Sequence, residues 1–289
     1  MAYPTPQGTE LIAMIGSGSV FEVALVREVG RGEVARGELD RPIVCKRLRP
    51  RVRDEPAGRA AIAREAQLLS LARHPSLPAL LRVGSDAAGP FVLETLADGA
   101  SLRAITEGAS ARPGGLPARL FAHLAHAAAT ALAELHELHD AGGPLSIVHG
   151  DLAPDHVRMG PHGEIRFVDF GASRYRGMDA RLDAGDRGTL PYVAPEVARG
   201  ERAPDQAGDV YALAATLLLL ATGEPIAPTL DEGALLLTIG EHGLPSSSFA
   251  RLDAASCISP RGRDALRAAL MLDPSRRIRT ARALVDAFD

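Results

Sequence analysis

Apolar residues in the first third of the chain come in short runs divided by glycine, proline and charge, which is the pattern of strands. Leu11–Ile15 and Val20–Val29 flank a Gly-Ser-Gly-Ser turn and predict strand, turn and strand. Ile43–Leu48 alternates, with Val44, Lys46 and Leu48 on one face, and runs into a loop ending near Pro56. The period changes over Gly58–Arg73, where Ile62, Glu65, Leu68, Leu69 and Ala72 share one side of a helix. Phe91–Glu94 is a short apolar strand. Beyond it the spacing is mostly helical. Leu116–Asp140 is a long Ala/Leu helix closed by Gly142-Gly143-Pro144, and Asp209–Thr222 is apolar nearly all round, so it belongs in a core. Gly262–Leu272 and Thr280–Phe288 are amphipathic, and His149–Glu196 is a region of loops and short strands. These elements predict an α+β fold in two lobes: a small β-rich lobe with one key helix and a larger, mostly helical one. A cleft would lie between them, with the boundary at Ala97–Ala100.

Composition then removes several function classes. The chain has 289 residues, 46% of them hydrophobic and 24% charged, which is globular and excludes disorder. A net charge of −4 without a basic tail gives no reason to expect nucleic acid. Cys45 and Cys257 form no disulfide framework and no C-x-x-C pair, which suits a reducing cytoplasm. The most apolar stretch, Val210–Ala221, is 12 residues long, short of the ~18 that a membrane span needs. The start MAYPTPQGTE lacks the basic and apolar regions of a signal peptide. Of the 32 basic residues only Lys46 is lysine, and asparagine is absent, a bias expected of a GC-rich genome. A Walker-A loop is excluded because the one lysine follows Cys45.

That single lysine draws attention to its neighbourhood. A charge on the apolar face with Val44 and Leu48 is costly unless paired, and Glu65 has the mirror-image problem on its helix. Each solves the other's, unless Lys46 snorkels to solvent and Glu65 sits at a helix rim. The turn Gly16-Ser17-Gly18 is either a plain hairpin or a backbone cradle for phosphate. Asp151 and Asp169 lie 18 residues apart, each beside a glycine. They are turn residues, or one accepts a hydroxyl proton while the other binds a hard cation. His123/His126 and His136/His139 have helical spacing but no third metal ligand, so they are expected to be surface or core residues. Arg47, Arg49, Arg51 and Arg53 read as a solvated loop or as a dock for an acidic partner.

The order of these fragments resembles the eukaryotic-like protein kinase family over nearly the whole chain. The glycine turn resembles the Gly-rich loop, Ile43-Val44-Cys45-Lys46 the V-A-I-K strand, and Phe91-Val92-Leu93-Glu94-Thr95-Leu96 the hinge. His149-Gly150-Asp151 resembles H-R-D, and Asp169-Phe170-Gly171 is a full D-F-G. Gly188-Thr189, Tyr192 and Ala194-Pro195-Glu196 resemble the end of the activation segment, Asp209-Val210-Tyr211 the start of the central helix, and Asp273–Arg277 the late motif whose arginine pairs with Glu196. The phrase His136–Asp151 is similar to bacterial kinases of the myxobacterial type.

The resemblance implies one kinase domain over residues 9–289, divided into 9–96 and 97–289, with a tail at 1–8. It implies ATP with Mg²⁺ or Mn²⁺, protein Ser/Thr hydroxyls as acceptors, and a possible regulatory protein as partner, with no nucleic acid and no membrane. Lys46, positioned by Glu65, would hold the α- and β-phosphates, and Asp151 would orient the hydroxyl and take its proton. Asp169 and His156 would face the metal. Ile15, Gly16, Ser17, Gly18, Val23 and Val44 would line the nucleotide, main-chain groups at Glu94 and Leu96 would bind adenine, and Leu93 would limit the pocket behind it. Thr189 would contact substrate, while Glu196, Asp209 and Arg277 would be structural. Because the chain ends just after the last kinase helix, its input is expected from a partner, a ligand or expression level.

The sequence departs from the family at four points. Phe21 replaces the third loop glycine, Gly150 the arginine of H-R-D, Ala153 a phosphate-contacting lysine, and His156 the metal-binding asparagine. Between Arg176 and Gly188 no hydroxyl residue occurs, so activity is expected not to require phosphorylation of that segment. A pseudokinase that binds nucleotide and regulates a partner is the alternative. A small-molecule kinase of the aminoglycoside or choline type also has His-Gly-Asp but lacks the Gly188–Glu196 segment.

Overall fold

The computed structural model describes residues 3–29, 41–111, 115–183, 185 and 188–289. The chain divides into two compact units, Met1–Ala97 with Met178–Ala184, and Asp98–Gly177 with Gly185–Asp289. The α+β expectation holds, with strands concentrated in the first unit and helices in the second.

In the first unit, β1 (Thr9–Ser17), β2 (Phe21–Glu28), β3 (Ile43–Leu48), β4 (Leu80–Asp86) and β5 (Gly89–Thr95) form an antiparallel sheet of order β1-β2-β3-β5-β4. Helix α1 (Pro56–Leu71) begins on a proline, whose missing N–H costs nothing in a first turn. It covers one sheet face, where Phe21, Leu48, Ala61, Ile62, Ala66 and Val92 pack together. On the other face Ala24, Val26, Ile43, Cys45, Phe91 and Leu93 form a second layer, closed by Tyr3. The Tyr3 hydroxyl donates to the Cys45 carbonyl (3.0 Å), so Tyr3, in the segment expected to be a tail, packs against the sheet. Burial pushes both the Tyr3 phenol and the Cys45 thiol up from their ordinary pKa values.

The second unit opens with β6 (Ala100–Ser101) and α2 (Leu102–Ser110), whose N-cap Ser101 accepts from Ala104 N–H. Helix α3 (Ala118–His136) is shorter than its apolar pattern suggests. Its expected last turn becomes β7 (His139–Asp140), which folds back on β8 (Gly143–Pro144) through Gly142. Strands β9 (Val157–Met159) and β10 (Ile165–Phe167) bracket the loop that precedes Asp169. After the short α4 (Pro195–Ala198), α5 (Gln206–Thr222) runs buried through the unit. It is capped by Asp205 on Gly208 N–H and ends at left-handed Gly223. Helices α6 (Glu232–His242), α7 (Ser246–Ala254), α8 (Pro260–Ala269) and α9 (Ala281–Phe288) complete the unit, with Phe288 edge-on to Phe121 of α3.

Candidate active site

Strand β3 is buried along its whole length, so only its register says where each side chain points. Val23 of β2 and Val92 of β5 stand opposite Lys46, which puts all three on the α1 side. There the Lys46 ammonium bonds Glu65 of α1, and the two are 4% and 0% exposed. The residue before Glu65 also acts inward. Arg64 is 2% exposed, and its guanidinium donates to the main-chain carbonyl of Leu182 (2.8 Å), in the stretch after D-F-G that belongs to this unit.

The same register separates Leu93 from its expected role. Leu93 stands opposite Cys45 and packs in the outer layer, away from Lys46. The β5 side chain on the Lys46 face is Glu94, 2% exposed, with Oε1 at 3.2 Å from Lys46 Nζ. Val44 is opposite Glu94 and shares that face, and Leu96 lies just past the strand.

At the glycine turn, Ile15, Gly16 and Ser17 end β1, and Gly18 N–H donates to Phe21 C=O (2.9 Å). A Cβ at Gly16 would make ordinary contact with Val23, and one at Gly18 would meet nothing. The fold alone therefore does not demand glycine at either position. Two arginines of the solvated loop after β3 reach this turn: Arg49 donates to Gly18 C=O (2.8 Å) and Arg51 to Ser19 C=O (3.2 Å). Arg47 is buried on the outer face, paired with Asp86 and stacked over Phe91 at 5.0 Å.

In the second unit the first turn of α5 fixes the loop around Asp151. Asp209 accepts from His149 N–H (2.7 Å) and Gly150 N–H (2.9 Å), and its Oδ2 also meets His136 Nε2 (3.0 Å). Fully buried His149 accepts at Nδ1 from Asp151 N–H (3.3 Å) and donates from Nε2 to Val168 C=O (3.2 Å). Burial holds its pKa down at about 4, so it is a neutral spacer. The Asp151 carboxylate accepts from Thr189 N–H (2.6 Å). Burial raises its pKa to about 6, against the opposing pull of His156 and Thr189.

His156 bridges the two aspartates. Its Nδ1 donates to Asp151 C=O (2.7 Å), and its Nε2 stands 3.7 Å from Asp169 Oδ2, with Asp169 in the left-handed region at φ +69°. Asp155, the other acidic side chain nearby, turns instead to Arg103 (2.7 Å). Among the described residues no three His, Cys, Asp or Glu side chains gather as a metal cluster.

Gly150 replaces the usual arginine for a local reason. Its φ is +78°, and a Cβ there would lie 2.4 Å from the Ala172 carbonyl oxygen. Ser173 is fully buried and Tyr175 nearly so. Glu196 and Arg277 are paired through both terminal guanidinium nitrogens, Nη1 at 2.9 Å.

Several residues that matter here carried no readable signal. Arg64 and Arg103 lie outside every motif the sequence offers, yet Arg64 reaches Leu182 C=O and Arg103 holds Asp155. His136 was grouped with His139, but it serves Asp209, and the two histidines do not meet. His123 meets the Gly163 carbonyl (2.9 Å). Gln206 links the His136 and Ile147 carbonyls, both at 3.1 Å.

A family model described as "Protein kinase domain" matches residues 10–288. The chain is 30% identical over 225 residues to the serine/threonine-protein kinase PknB of Mycobacterium tuberculosis, covering 75% of this chain and 32% of that protein. It is 29% identical to a probable serine/threonine-protein kinase of Streptomyces coelicolor, with 75% and 30% covered. It is also 29% identical to a putative cyclin-dependent kinase F-2 of Oryza sativa, with 95% and 88% covered. The chain thus spans about a third of the length of its bacterial relatives.

Proposed function

The chain belongs to the protein kinase domain family, and on that premise we propose that it transfers the γ-phosphate of ATP to Ser/Thr hydroxyls of protein substrates. The observation that carries this is Asp151. It is a buried carboxylate held by Thr189 N–H, on a loop pinned by Asp209, with a pKa of about 6 that leaves it ionised yet basic near neutral pH. Lys46, held by Glu65, supplies the compact ammonium for phosphate. At Gly16 and Gly18 no side chain stands between the main chain and an approaching phosphate.

The donor chemistry fits a divalent cation. Asp169 offers a carboxylate, and His156 Nε2 a nitrogen 3.7 Å away, a set that suits Mn²⁺ at least as well as Mg²⁺. Such sites are completed by substrate phosphates rather than by further protein ligands. When bound, the cation supplies charge neutralisation for the phosphates. This chain's own residues then do the rest: Asp151 orients the hydroxyl and removes its proton, and Thr189 N–H holds Asp151 in place.

Activity independent of phosphorylation in residues 176–188 is part of this reading. Gly150 has no room for a phosphate-binding arginine, and the hydroxyls preceding the segment, Ser173 and Tyr175, are buried. Phosphosite mapping on active protein tests it, and an activating phosphate in that segment would refute it.

The decisive assay is transfer to a generic basic protein, with Mg²⁺ and Mn²⁺ compared. Asp151→Asn is expected to reduce transfer by about 100-fold or more and to leave ATP binding intact. Full activity in that variant overturns the assignment of the base. One observation favours a second reading, a nucleotide-binding module without transfer. His156 is committed through Nδ1 to the Asp151 carbonyl where the family carries a metal-binding asparagine. ATP binding without turnover in either metal would establish it.

A further inference from the structure

We infer that Glu94 is a positioning residue of the nucleotide site: its carboxylate shares Lys46 with Glu65 and competes with the nucleotide's phosphates for that ammonium. This rests on the nucleotide-binding reading above. The grounds lie wholly within the first unit. The β3–β5 register stands Val92 opposite Lys46 and Glu94 opposite Val44, so both carboxylates and the ammonium share the α1 side of the sheet. Lys46 Nζ bonds Glu65 and lies 3.2 Å from Glu94 Oε1. Lys46, Glu65 and Glu94 are 4%, 0% and 2% exposed.

Glu94 is not what the fold by itself would select there. Its neighbours on that face are Val23, Val44 and Val92, and an apolar residue would pack among them without the cost of desolvating a carboxylate. Glu65 alone can neutralise Lys46. The second carboxylate sets two anions against this one ammonium, with solvent largely removed.

The consequence is specific to charged ligands. A polyphosphate must draw the ammonium away from two carboxylates and approach both of them. At an effective dielectric near ~20, one such charge several ångströms away changes affinity by up to roughly two orders of magnitude, and the Mg²⁺ bound with ATP offsets about one of them. A neutral nucleoside feels neither effect. Glu94 therefore sets how strongly the site favours the triphosphate over the bare nucleoside.

Calorimetric binding of ATP with Mg²⁺, and of adenosine, to the full chain and to Glu94→Gln and Glu94→Asp tests this. Glu94→Gln is expected to tighten ATP by about tenfold and leave adenosine unchanged, while Glu94→Asp, which keeps the charge, stays near wild type. Because Lys46 is the only lysine, ¹⁵N-lysine labelling gives one side-chain ammonium signal. That signal should shift on Glu94→Gln with no nucleotide present, a change that mere loss of packing elsewhere would not produce. Unchanged ATP affinity, an unmoved ammonium signal, or equal changes for ATP and adenosine would each overturn the proposal. ATP binding by Glu94→Gln but not by wild type would support it in its strongest form. If no form binds ATP, the nucleotide reading falls and the competition with it. A wild type that binds ATP and a variant that binds no better remove the competition alone.

Discussion

Two buried charge groups in this molecule are built in opposite ways. Arg277 and Glu196 form a matched pair, one cation to one anion, joined by both terminal guanidinium nitrogens. The rest of the Arg277 fork is used as well: Nε donates to the Met271 carbonyl (2.6 Å), a second bond reaches the Leu272 carbonyl (3.1 Å), and the plane lies over Tyr211 at 5.1 Å. This is how a guanidinium is buried at least cost. Lys46, by contrast, is a point charge set against two carboxylates, Glu65 and Glu94. The guanidinium's bonds are all taken up by the fold, whereas the ammonium is shared by two carboxylates where phosphate chemistry is proposed.

The contrast can be broken experimentally, most severely at Arg277. Arg277→Ala leaves Glu196 buried without its cation, and urea titration should show a loss of about 3–5 kcal/mol. A loss below about 1 kcal/mol would mean that the pair is not structural. Lys46→Met should cost less, about 2 kcal/mol, because the methionine still packs beside Val23 and Val92, and adding Glu94→Gln should recover part of it. No recovery in the double variant would mean that the two carboxylates do not share one cation. The smallest effect concerns pH. Asp151 accepts a proton only when ionised, and its pKa is raised to about 6. The transfer rate should therefore be flat above neutrality, reach about half its plateau near pH 6, and fall about tenfold per unit below that. A half-point near the ordinary aspartate value would show that burial does not tune this group.

The main elements were readable because their periodicities are clean. Ile43–Leu48 is a strand with the expected bounds, and the apolar run of α5 is the buried helix it was taken for. Elements without a one-sided pattern escaped. β4 is mostly exposed, so it shows little alternation, and α7 begins in a Ser-Ser-Ser run that reads as loop. The partners Lys46–Glu65 and Glu196–Arg277 followed from the cost of burying single charges and from motif order. That the facing of the Leu93 and Glu94 side chains is not legible in the sequence has a definite cause. Residues 91–94 are all buried, so neither face of β5 is marked by polarity. Only the pairing of Val92 with Lys46 reveals that Glu94 points towards the lysine and Leu93 away from it. His136 and Gln206 escaped for another reason: they act on a carboxylate and on main-chain carbonyls distant in sequence.

The Arg64 contact has an evolutionary corollary. Its acceptor is the carbonyl of Leu182, a group that every amino acid supplies. Residue 182 and its neighbours can therefore drift in identity while the tether to α1 persists, whereas one substitution at residue 64 cuts it. Mutational tolerance should be lopsided across this single bond, strict at the helix end and lax at the segment end. The anchoring of the segment is thus inherited through the helix, and its own sequence is left free to diverge.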